Sequence, residues 1–114
     1  MITKKLLVVL FSALIIPTMA DGSLMPWKLW LNFFPELSAI AKCESNYQFS
    51  AVGDHGNSYG IFQIHLPSHK RVTKEQAKDP YFSLMWAIEK YYDGELNIWT
   101  CARILANKGL IELD

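Results

Sequence analysis

Neither sign of charge dominates this sequence: 11 Lys and Arg balance 11 Asp and Glu across 114 residues. No cationic run exceeds the pairs Lys4-Lys5 and Lys70-Arg71, so the basic surface needed to neutralise a phosphate backbone is missing. Nucleic acid is therefore not an expected partner. Glycine (6) and proline (5) are too scarce for a collagen-like chain, and 51% hydrophobic residues are too many for a disordered one. No internal repeat or low-complexity tract is visible. The length leaves room for one small core and not for two.

Long hydrophobic runs are lacking as well. The stretch Leu6 to Ile16 has eleven residues, against about 20 for a membrane-spanning helix. It follows Lys4-Lys5 and precedes Pro17-Thr18-Met19-Ala20, which is the layout of a secretory signal. Residues 1–20 are thus expected to direct export, to a periplasm or the exterior, with cleavage after Ala20. Cleavage would leave residues 21–114 as one domain, mildly acidic because Lys4 and Lys5 go with the signal. A membrane association is expected only if the segment stays attached.

Cysteine is sparse too, with two residues, Cys43 and Cys101. In an oxidising compartment they pair as one disulfide and leave nothing over; two buried free thiols are the alternative.

What is present reads as a mainly helical chain. Leu24 to Phe34 is rich in aromatics and suits a helical turn or two that caps the core; membrane-surface binding is the alternative, although only Lys28 and Asn32 mark a polar face. Pro35 suits the first position of a helix and Glu36 its first turn. Leu37, Ile40, Ala41 and Glu44 then fall on one face, so that a carboxylate ends an apolar stripe at the edge of the core. Desolvation there opposes ionisation, the condition a general acid requires. From Ser45 to His65 the helical period gives way to turn formers, Gly53, Asp54, Gly56, Asn57, Ser58 and Gly60, so a loop or small β-element is expected. Thr73-Lys74-Glu75-Gln76 has capping-box spacing. Asp79-Pro80 opens a helix whose stripe is Tyr81, Leu84, Met85, Ile88 and Tyr91 or Tyr92, closed by Gly94. A last helix is expected from about Ile98 to Asn107.

Three histidines, His55, His65 and His69, raise the question of metal. Pro67 between His65 and His69 spoils a helical i, i+4 pair and no HExxH companion exists, so surface or groove-lining roles are expected and no metal site is assigned. Trp99, Tyr91 and Tyr92 suit either sugar stacking or the core.

In order along the chain stand Cys43-Glu44-Ser45-Asn46, Gly53-Asp54-His55-Gly56-Asn57, Ser58-Tyr59-Gly60-Ile61-Phe62-Gln63-Ile64 and Ser68-His69-Lys70. This succession resembles the goose-type lysozymes and the soluble lytic transglycosylases, in which an E-S pair ends a helix ahead of a turn-rich loop and a G-[L/I]-[M/F]-Q-[V/I] segment. A weaker likeness continues through Asp79-Pro80, Ala87, Gly94 and Trp99. Two positions depart from the pattern: His65 stands where goose-type enzymes often carry Asp, and the A-Y-N-A-G stretch of lytic transglycosylases is replaced near Asn97 to Ala102.

The resemblance implies an α+β, mainly α, lysozyme-like domain whose glycine-rich insert forms a groove for peptidoglycan glycan strands, acting as a monomer without a cofactor. It implies Glu44 as the catalytic acid, with Asp54 as a residue that positions water. Ser45, Tyr59, Gly60, Gln63, His65, Tyr91 and Trp99 are the expected substrate-side residues. The implied reaction is cleavage of the β-1,4 bond between N-acetylmuramic acid and N-acetylglucosamine. Scarcity of second carboxylates leans towards transglycosylation; a hydrolase using Glu44 and Asp54 and a non-catalytic wall-binding protein are the alternatives.

Overall fold

Proline and short polar caps set where the helices begin. The computed structural model describes residues 19–113, so the reading of residues 1–20 as an export signal falls almost wholly outside the described residues. A five-residue helix α1 (Trp27–Leu31) leads into α2 (Pro35–Ser45), with Pro35 at the first position and Glu36 in the first turn. Asn46, at φ 53°, ends α2 in the left-handed conformation. After the sheet, α3 (Lys74–Lys78) starts on a complete capping box: Thr73 accepts from the Gln76 amide, and the Gln76 side chain accepts from the Thr73 amide. In α4 (Pro80–Tyr92), Asp79 accepts from the amides of Tyr81 and Phe82 at 2.8 and 3.0 Å.

Between α2 and α3 lies a three-stranded antiparallel sheet of two-residue strands, β1 (Val52–Gly53), β2 (Ser58–Tyr59) and β3 (Ile64–His65), in the order β1-β2-β3. Among the described residues the protein is thus a mainly helical α+β domain with a small β-insert. The core draws on every part of it: Leu31 and Phe34 at the start, Leu37, Ile40 and Ala41 from α2, Ile61, Phe62 and Ile64 beside the sheet, and Leu84, Ala87 and Ile88 from α4. Burying an aliphatic side chain of this size stabilises by about 2 kcal/mol.

Two helices differ from the sequence expectation. The most buried positions of α4 are Ser83, Leu84, Ala87 and Ile88, while Tyr81, Met85, Tyr91 and Tyr92 flank them half-buried. The stripe is rotated towards its small residues because neighbouring backbone comes close: the Ser83 hydroxyl donates to the Ala77 carbonyl at 3.3 Å, and a Cβ on Gly60 would collide with that same carbonyl. The last helix, α5 (Thr100–Asn107), begins at Thr100 and not at Ile98. Leu96–Ile98 form a separate 3-10 turn, and Trp99 is extended between the two. Its indole Nε1 donates to the Phe62 carbonyl at 2.8 Å, a buried bond that a continuous helix would forgo.

Candidate active site

The register of α2 carries Glu44 one turn beyond Ile40 and Ala41, to the boundary between core and solvent. Cys43 and Cys101 form a disulfide, with Cα atoms 5.9 Å apart, that joins the end of α2 to the start of α5. Glu44 is therefore held between two tethered helix ends. Burial pushes its carboxyl above the ordinary glutamate range, the Cys101 backbone amide works against that by favouring the charged form, and the negative charge of Asp54 adds to the rise.

A groove of about 640 Å³ opens beside this carboxyl, lined by Glu44, Asp54, Ser58, Gln63, His65, Ser68, His69, Ile98, Trp99 and Thr100. Among the expected site residues, Glu44, Asp54, Gln63, His65 and Trp99 meet here. Trp99 is only 4% exposed and packs on Phe62 and Trp86, so it is a core residue that also borders the groove, not an open stacking platform.

Four expected residues do not line the groove, each for a visible reason. Ser45 directs its hydroxyl to the Ile61 carbonyl at 2.8 Å, pinning the helix end to the turn before β3. Tyr59 donates to the Gly56 carbonyl at 2.7 Å, and its ring carries the ammonium groups of Lys74 and Lys78 at 5.2 and 5.9 Å. Gly60 stands at φ 86° against the Ala77 backbone, a close approach that only glycine permits. Tyr91 packs edge-on against Phe34 and Tyr92 on another face of the domain.

The insert that carries the groove contains strained backbone. Asp54, His55 and Gln63 have φ of 51°, 56° and 47°, left-handed values that side chains other than glycine adopt at a cost of about 1 kcal/mol each. Local bonds hold two of them there. The Asp54 carboxylate accepts from the Ser58 hydroxyl at 2.5 Å, and the Gln63 side-chain amide donates to the carbonyls of Ala51 and Gly60 at 3.1 and 2.9 Å. His65 Nδ1 pairs with the Ser68 hydroxyl at 2.8 Å. His69 stands edge-on to Trp86, and burial, then the positive charges of Lys90 and His65, push its pKa down. His55 is exposed and outside the groove.

Ser58, Ile98 and Thr100 line the groove although none was an expected site residue. Ser58 reads as one turn former among several, whereas in the fold it is fully buried and aimed at Asp54. The arrangement supplies one carboxyl whose ionisation its burial opposes, a second on the same groove, and amide and imidazole groups around them. Comparison with protein-family models, characterised proteins and solved structures finds no match to this chain.

Proposed function

We propose that this protein is an exported peptidoglycan-cleaving glycosidase that cuts the β-1,4 bond between N-acetylmuramic acid and N-acetylglucosamine in the manner of a lytic transglycosylase. The observation that carries the reading is Glu44: a carboxyl whose burial raises its pKa and so favours the protonated form, at a helix end on an open groove. A protonated Glu44 donates its proton to the glycosidic oxygen as the bond to the anomeric carbon breaks. The resulting carboxylate then takes a proton from the incoming nucleophile. With the sugar's own 6-hydroxyl as nucleophile, no second carboxylate is required.

One observation favours a hydrolase as the second reading. Asp54 lines the same groove and its charge reaches Glu44, so a water held by Asp54 has an acceptor for its proton. The two are told apart by incubating the protein with purified peptidoglycan and weighing the soluble fragments. Transglycosylation yields 1,6-anhydro ends lighter by one water than reducing ends. Glu44→Gln should abolish release in either case, whereas Asp54→Asn should lower kcat by about 10²-fold only for the hydrolase. Release that survives Glu44→Gln would refute the proposal.

A further inference from the structure

The groove does not end at His69. A second hollow of about 390 Å³ is lined by Ser68, His69, Lys70, Arg71, Val72, Trp86, Glu89 and Lys90, so that Ser68 and His69 border both. The charges of the two hollows are opposed. Glu44 and Asp54 line the first, which has no Lys or Arg; three cations and one carboxylate line the second.

Lys90 is bonded to Glu95 at 3.1 Å and lies over the Trp86 ring at 5.2 Å. Lys70 and Arg71 are exposed, and no carboxylate among the described residues pairs with either. In a chain whose charges balance overall, two adjacent unpaired cations at the rim of a groove make a local anion-attracting field. Val72 and Trp86 add apolar surface beneath it.

A ligand lying across both hollows is thereby oriented. Its neutral part suits the carboxylate end, where a second negative charge would be repelled, and its acidic part suits the Lys70-Arg71 end. N-acetylmuramic acid has that asymmetry. It is an N-acetylglucosamine ring bearing a lactyl carboxyl group, either free or extended by a peptide that carries further carboxylates. Building on the glycosidase reading, we propose that the second hollow is the subsite for this carboxylate-bearing substituent, and that Lys70 and Arg71 set selectivity for acidic over neutral amino-sugar strands.

The test measures binding with the Glu44→Gln protein, so that no ligand is consumed. Three soluble tetrasaccharides serve as probes: a muramyl oligomer with its peptides, the same oligomer stripped to its lactyl carboxylates, and chitotetraose, which has no acid. At low salt the peptide-bearing probe should bind about tenfold tighter than chitotetraose, the contribution of two exposed charge pairs, with the stripped probe between them. The preference should fade at 0.5 M salt, shrink in Lys70→Gln/Arg71→Gln and vanish in Lys70→Glu/Arg71→Glu. Equal binding of acidic and neutral probes, or a preference that survives charge reversal, overturns the inference. Cleavage by the unmutated protein is measured separately: a protein that prefers the acidic probe yet releases nothing from peptidoglycan refutes the glycosidase reading and upholds the subsite.

Discussion

Removing the Cys43–Cys101 bridge should cost this small domain a large share of its stability. The bridge closes residues 58 apart in sequence, and constraining an unfolded loop of that length is worth about 4 kcal/mol on the chain-entropy account. A domain of this size has a total of about 5–15 kcal/mol. With a urea dependence of about 1–2 kcal/mol per molar, Cys43→Ala/Cys101→Ala should lower the unfolding midpoint by about 2–4 M. Lost packing is the competing cause, and the structure limits it: Cys43 is exposed and only Cys101 is buried. Truncating one buried sulfur costs about 1 kcal/mol. The unmutated protein under reductant separates the two, because it keeps both sulfurs and loses only the tether. Reduced protein should unfold close to the double-alanine variant. An unfolding free energy that reduction lowers by less than about 1 kcal/mol would refute the tether argument and leave packing as the whole effect.

Two further outcomes concern Glu44 and Gly60. The raised pKa of Glu44 means the folded protein holds this proton more tightly than the unfolded chain, so its contribution to stability is fully present below the ordinary glutamate value of ~4.3 and is lost as pH rises through the raised one. Glu44→Gln does not titrate there, so its urea midpoint should gain on the unmutated protein between pH 3.5 and pH 7.5; a difference that stays flat would mean the carboxyl is not desolvated. Gly60→Ala should destabilise by about 3 kcal/mol or more, since φ 86° strains any Cβ and the Ala77 carbonyl stands in its way; a loss under 1 kcal/mol in chemical denaturation would show that the turn yields.

How much was legible in the sequence depended on the range of the forces involved. Pro35, the Thr73 capping box and Asp79-Pro80 act within one helical turn, and the helices begin where these residues predict. Glu44 was readable for a similar reason, because the periodicity of α2 places it on the edge of the buried face whatever packs against it. Trp99 was not. Its extended backbone accompanies an indole bond to a carbonyl 37 residues earlier, and no local signal in Asn97 to Thr100 announces that the helix must wait for it. The hydroxyl of Ser45 is likewise claimed by Ile61, 16 residues on, and the ring of Tyr59 by lysines of a helix that the pattern places without orienting. Tyr59 and Tyr91 were expected on the substrate side, and the packing of distant elements places neither in the lining of this groove.

The disulfide and the groove are physically connected. Three left-handed residues, Asp54, His55 and Gln63, burden the insert by about 1 kcal/mol each, and a partly desolvated Glu44 adds a further penalty once it ionises. Strands of two residues each provide few ladder bonds to resist these terms. Contacts from outside the insert do so instead: the Ser45 hydroxyl on Ile61, the Trp99 indole on Phe62, and the close seat of Gly60 against Ala77. Two of these three anchors, Ser45 and Trp99, lie within two residues of a bridged cysteine. A tether worth about 4 kcal/mol, placed between them, offsets strain of similar size in the walls that it braces. The bridge therefore bears on the site as well as on the fold, since loosening it frees the helix end that carries Glu44 together with the indole that holds the opposite wall.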